Sequence, residues 1–219
     1  PLGNTGNQMG GWFNKEINTP SDYNGLKMRM PGLGGRTIEK LGATPVLLAG
    51  PDVLPSLSSG AVDAAEWICP AADLGAGLYQ AAKYYYGPGW HEPSTLLDLS
   101  IDLASWEKLD SSTQGLVDNM TKSFNMTVFS LFQAANGPAL QKLLNEHNVQ
   151  LKQFPDEVLI ALGNAAGEVV SERGSINSET KAICNHLLSF RKNIMDWSTK
   201  GESEFARIRN LSFKYPDSV

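Results

Sequence analysis

Apolar and polar positions alternate in short blocks through the first half of the chain and in long helical periods through the second. Residues 8–13, "QMGGWF", form a strand candidate inside an opening loop rich in Gly and Asn. Asn24-Gly25 signals a turn, and Leu26–Met30 then reads as a strand stopped by Pro31 and Gly32. "GGRTIEKLG" predicts a helix closed by Gly42, "ATPVLLAG" a strand, and "DVLPSLSSG" a helix with Asp52 near its start and Gly60 past its end. Residues 61–68, "AVDAAEWI", read as the next strand, with Glu66 set among apolar neighbours. Residues 71–86 carry a helical pattern that "GPGWHEPS" breaks, and "TLLDLSIDL" is a further strand candidate.

The second half is dominated by helix. The segment from "ASWEKLD" to "NEHN" repeats apolar residues at Leu116, Met120, Phe124 and Val128, and Gly137-Pro138 predicts an interruption or kink. "VQLKQFP" reads as a short strand, after which Pro155 and Asp156 open another helix. A last helix is predicted over 178–198, where Ile183, Leu187, Phe190, Ile194 and Trp197 follow heptad spacing. That stripe suits either the chain's own core or a partner subunit. Strands alternating with helices predict an α/β fold with a mainly parallel sheet.

Composition narrows the classes. The chain has 219 residues, enough for one or two domains, with 42% apolar and 19% charged residues. No apolar run reaches the roughly 18 residues of a membrane span, and no signal peptide is visible. The chain opens at Pro1 without Met, so its natural beginning is expected upstream. A net charge of −5 argues against a nucleic-acid surface. Cys69 and Cys184 form no zinc or CxxC pattern, which favours two thiols over a disulfide framework.

Several motifs invite chemistry. "PGLGG" follows a strand and opens a helix, but it is not a Walker motif, and glycines serving a tight turn explain it. In "WHEP", Pro93 forbids the helix that a zinc-binding H-E-x-x-H needs, so His91 is read as structural, at a sharp turn. No G-x-S-x-G or reactive-cysteine signature occurs. Arg29, at the end of a strand, is suited to clamp a carboxylate through two parallel hydrogen bonds, or else to sit in a surface salt bridge.

Taken together, "GNTGNQMGGWF", "GLKMRMPGLGG", "LGATPVLL", "LPSLSSGAVDAAEW" and "KYYYGPGWHEP" resemble the extracytoplasmic solute-binding subunits of TRAP transporters, the DctP-like family, and among them the 2-oxoacid-binding branch. The resemblance implies a two-lobed, periplasmic-binding-protein-like α/β fold with crossing hinge strands and long C-terminal helices. It implies that much of the N-terminal lobe lies outside this chain. Residues 1–65 then begin the second lobe, 66–95 cross to the first, and 96–219 return and carry the helices. It also implies a periplasmic location, TRAP membrane subunits as partners, and a homodimer through the 178–198 helix.

The implied site follows residue by residue. Arg29 matches the arginine that grips the ligand carboxylate. Gln8 matches a glutamine holding ligand and metal. Glu66 and Trp67 match the pair lining both, with the Trp67 main-chain carbonyl as a metal ligand. Cys69 stands where the family often has Gly. A 2-oxoacid such as pyruvate is an anion, and facing Glu66 directly would cost about 4 kcal/mol at 4 Å and an effective dielectric of 20. A hard cation between them reverses the sign, and the oxygens of Gln8, Glu66 and Trp67 suit Na+ or Ca2+. Charge balance with Arg29 ranks Na+ first and Ca2+ second. The expected function is capture of a small 2-oxo or 2-hydroxy acid, with a dicarboxylate or sugar acid as the alternative and a nucleotide-dependent enzyme as a remote one. No catalytic residue is expected.

Overall fold

A computed structural model describes residues 1–214. The first half contains β1 (Gly3–Asn4), β2 (Gly11–Phe13), β3 (Lys27–Arg29), α1 (Gly32–Lys40), β4 (Thr44–Val46), α2 (Gly50–Ser59), β5 (Ala64–Ala65), α3 (Pro70–Ala76), β6 (Tyr84–Gly87) and β7 (Leu96–Leu97). Then come α4 (Leu103–Trp106), α5 (Ser111–Glu146), β8 (Gln150–Gln153), α6 (Asp156–Gly174), α7 (Ser178–Ser198) and α8 (Glu204–Arg209). Two compact units divide the chain, Pro1–Ala166 and Gly167–Val219.

The first unit is built on a six-stranded sheet of order β4-β3-β5-β2-β6-β8. Pairs β3–β4, β3–β5 and β6–β8 are parallel, as expected, while β2 runs antiparallel to both β5 and β6. Successive residues point to opposite faces. Phe13, Ala64 and Tyr86 join Met28, Ile38 and Phe154 in one buried cluster. Their neighbours Trp12, Ala65 and Tyr85 join Val53, Leu57 and Leu143 in the other. Trp12 stacks on Tyr85 with ring centroids 4.1 Å apart, and Tyr86 on Phe154 at 4.7 Å. Each such side chain contributes on the order of 2 kcal/mol through burial.

Burial on both faces explains one departure from the sequence reading. Tyr84–Gly87 is strand, where residues 71–86 read as helix; α3 stops at Ala76. A strand covered on both sides has no polar alternation to reveal its period. The strand read over 61–68 pairs only at Ala64–Ala65, and that read over 95–103 only at Leu96–Leu97, against β1. The 8–13 strand is likewise shorter, Gly11–Phe13.

Helix α5 starts where Asp110 accepts a hydrogen bond from the Thr113 amide at 2.9 Å. It runs through Gly137-Pro138 without a break, so of the predicted interruption or kink the interruption does not occur. Tertiary anchors bracket that point: Asn136 Oδ1 accepts from the Ala71 amide at 3.1 Å, and Ala139 and Leu143 are buried beyond it. In the second unit, Asn177 and Thr180 cap α7 reciprocally. The heptad residues Ile183, Leu187, Phe190 and Trp197 are each more than half exposed. Ile194, the fifth residue of the stripe, is half-buried.

Candidate functional site

The parallel pairing of β3 with β5 sets Arg29 opposite Ala65, and the Glu66 amide donates to the Arg29 carbonyl at 3.0 Å. Both side chains thus leave the sheet at the C-terminal ends of adjacent parallel strands, where α/β sheets open their ligand crevices. Arg29 Nη1 donates to Glu66 Oε2 at 2.8 Å and to the Glu66 carbonyl at 2.7 Å. The guanidinium carbon lies 5.1 Å from the Trp67 ring centroid, so the indole faces the cation. Trp67 is held in turn by α2: a Cβ on Gly50 would come within 2.9 Å of its ring.

Gln8 stands in the loop ahead of β2. Its Nε2 donates to Thr5 Oγ1 at 3.2 Å and to Thr95 Oγ1, and Thr95 Oγ1 donates to Glu92 Oε1 at 3.2 Å. A carboxylate oxygen of Glu92, a ring nitrogen of His91 and a carboxylate oxygen of Glu66 lie within 4.8 Å of one another. His91 Nε2 is 3.4 Å from Glu66 Oε1. Hydrogen bonds thus link Gln8 to Glu92 through Thr95 and Glu66 to Arg29, and His91 lies between the two carboxylates within 4.8 Å of each. The side chains of Glu66 and His91 are 2% and 5% exposed, that of Arg29 12%, and Gln8 is 4% exposed.

Burial makes the unpaired atoms informative. Gln8 Oε1, Arg29 Nε and both ring nitrogens of His91 are buried without a hydrogen-bond partner among the described residues. A buried polar atom left so costs roughly 1–3 kcal/mol. Gln8 Oε1 is an acceptor, and Glu66 Oε1 takes no part in the Arg29 bond. Two hard oxygens beside a fixed guanidinium fit a hard cation and an organic anion bound together. Gln8 and Glu66 would hold the cation, and Arg29 the anion.

Of the four residues expected from the sequence, Arg29, Glu66 and Trp67 lie together, and Gln8 contacts Thr5 and Thr95, the latter bonded to Glu92. The sequence reading took His91 as structural and passed over Glu92, Thr5 and Thr95. The isolated "WHEP" signal could not reveal them, because their partners are distant in sequence. The glycines of "PGLGG" serve a turn: Gly32 adopts φ +61°, and a Cβ on Gly35 would meet the Met30 carbonyl at 2.6 Å.

Comparison with known proteins decides the family. Residues 2–175 match the DctP family, bacterial extracellular solute-binding protein family 7. The chain belongs to this family. Its members are transport solute-binding proteins, extracellular or periplasmic. The chain is 37% identical over 212 residues to a monocarboxylate 2-oxoacid-binding periplasmic protein of Nostoc sp. PCC 7120, matching 97% of this chain and 58% of that protein. A TRAP periplasmic solute-binding protein from Pseudoalteromonas atlantica, solved with sodium and pyruvate, superposes with TM-score 0.89 at 33% identity, over 98% of this chain and 64% of that one. One from Colwellia psychrerythraea, with calcium and pyruvate, gives 0.88 at 35%, over 96% and 64%. The DctP-family chain thus has the α/β fold of TRAP binding proteins and spans under two thirds of these relatives' length. A third similar structure, from Bordetella bronchiseptica, is a dimer with calcium and picolinate; its TM-score is 0.87 at 33% identity, over 95% of this chain and 62% of that one.

Below the site, Asp73 ties α3 to the sheet. Its Oδ2 accepts from Trp12 Nε1 and Tyr85 Oη, each at 2.8 Å, and its Oδ1 from the Ile68 amide at 3.0 Å. Burial pushes its carboxyl up to about 6 despite these donors. Cys69 is fully buried, and burial pushes its thiol up. Both cysteines are free.

Proposed function

We propose that the protein captures a small 2-oxo or 2-hydroxy monocarboxylate together with a cation, for delivery to TRAP membrane subunits. The buried Arg29–Glu66 pair, with His91 and Glu92 beside it and Gln8 linked to Glu92 through Thr95, carries this reading. Arg29 offers a planar fork to the ligand carboxylate. The cation, held by Gln8, Glu66 and the Trp67 carbonyl, cancels the repulsion between Glu66 and the ligand. Trp67 supplies an apolar wall against a small ligand. The 2-oxoacid-binding relative and the two pyruvate-bound structures support the ligand class.

Glu92 changes the charge balance. With Glu66 and ligand alone, a monovalent cation and Arg29 bring the site to neutrality. Counting Glu92 as a third negative charge, a divalent cation does so. Na+ and Ca2+ are both compatible, in line with the sodium- and calcium-bound relatives.

The role is binding without turnover, in the periplasm. Residues 66–95 as a crossover between lobes, with 1–65 and 96–219 in the second, belong to the same proposal. So does a homodimer through α7, supported by its exposed heptad stripe and by the dimeric relative. Calorimetric titration of the full-length protein with pyruvate, lactate and succinate, with and without Na+ and Ca2+, tests the reading. Cation-dependent binding of pyruvate or lactate is expected. Tighter binding of succinate would point to the dicarboxylate alternative, and heat without any cation dependence would overturn the bridging role.

A further inference from the structure

We infer that Thr5, Thr95 and Glu92 form a positioning relay that fixes which end of the Gln8 amide faces the cation. The inference rests on the proposed cation site and adds residues to it. It follows from the donors and acceptors available to two hydroxyl groups.

A threonine hydroxyl has one hydrogen and two lone pairs. Thr5 Oγ1 donates its hydrogen to the Gly6 carbonyl at 3.3 Å and accepts from the Thr95 amide at 3.0 Å. Thr95 Oγ1 donates its hydrogen to Glu92 Oε1 at 3.2 Å. Both hydrogens are thus committed elsewhere, so towards Gln8 both hydroxyls act only as acceptors. The Gln8 side chain can then face them only with its NH2, which donates to both. Rotating the amide by half a turn would set Oε1 against two acceptor oxygens. The carbonyl oxygen is thereby held on the opposite side, where it is buried without a partner among the described residues.

The relay depends on the β1–β7 ribbon. There Gly3 pairs with Leu97 and the Thr5 amide donates to the Thr95 carbonyl at 3.1 Å, which sets the two threonines face to face. Glu92, being an acceptor only, turns the Thr95 hydrogen away from Gln8. A donor in its place would release that hydrogen and remove the distinction between the two amide orientations.

The test uses the full-length protein with Thr95→Ser and Thr95→Val. Cation affinity is measured with Ca2+, and with Tb3+ by luminescence sensitised through tryptophan, in the absence and presence of pyruvate. Thr95→Val should weaken cation binding by about 10- to 100-fold, the usual loss on removing a partner that orients a metal ligand. Thr95→Ser, which keeps the hydroxyl, should retain wild-type affinity. The Gln8 side-chain NH2 resonances should exchange slowly in wild type and Thr95→Ser and rapidly in Thr95→Val, a signature that general destabilisation does not mimic when the melting temperatures agree. Equal cation affinity in wild type and Thr95→Val overturns the relay while leaving the cation site standing. Loss of affinity in Thr95→Ser as well, with the fold intact, also overturns it. A wild-type protein that binds no cation removes the parent reading, and the relay with it.

Discussion

Arg29 Nη1 donates at once to the side chain and to the main-chain carbonyl of Glu66, at 2.8 and 2.7 Å. One nitrogen serves both bonds, so the guanidinium is oriented by Glu66 with most of its donor fork to spare. Removing either partner leaves the other buried and charged, an expensive outcome.

Arg29→Ala is expected to weaken pyruvate binding by about 3 kcal/mol, roughly 100-fold, because a charge-assisted pair is lost. Arg29→Lys should recover only part, since an ammonium cannot present a planar fork. Calorimetry on the full-length protein checks both; unchanged affinity in Arg29→Ala would sink the assignment of the ligand carboxylate.

Glu92→Gln should lower Ca2+ affinity more than Na+ affinity, because it removes one negative charge from beside Glu66 and His91. Competition between the two ions, read by tryptophan fluorescence, measures the shift in preference. A parallel loss for both ions would mean that Glu92 acts only through Thr95.

Asp73 makes stability depend on pH. Its folded-state carboxyl is raised from 3.8 to about 6, so the folded state holds the proton more tightly than the unfolded. Its contribution is favourable below pH 3.8 and is lost as pH rises through about 6, a swing of roughly 3 kcal/mol. Urea unfolding across this window should show wild type losing stability relative to Asp73→Asn as pH rises. Parallel curves for the two proteins would contradict it.

Replacing Ile183 and Leu187 by Glu should convert a dimer into monomers without lowering the melting temperature of Pro1–Ala166, since both side chains are exposed. Sedimentation of the full-length protein is the measurement. A dimer that survives the double substitution would place the interface elsewhere.

Thiol labelling under native conditions should modify Cys184 and spare Cys69, which is buried with its thiol pushed up, and both should react after unfolding. Fast labelling of Cys69 would show that α3 opens readily.

The sequence by itself determined the elements whose signals are local. The bounds of α7, 178–198, were legible from its apolar period, and the turn at Asn24-Gly25 and the helix end at Gly60 from their composition. Arg29 stood out at a strand end and Glu66 among apolar neighbours, and their pairing with Gln8 came from resemblance to a family. Tertiary structure decided the rest. Tyr84–Tyr86 became a strand because both faces of the sheet are covered, which erases the alternation that marks a strand. Pro138 failed to break α5 because Asn136, Ala139 and Leu143 anchor the helix on either side of it. Glu92 and Thr95 acquired a role only when the chain carried them to Gln8, 87 residues from Thr95 in sequence. A hydrogen-bond relay between distant segments leaves no periodic trace in the chain, since its specificity lies in which lone pairs and hydrogens folding leaves available.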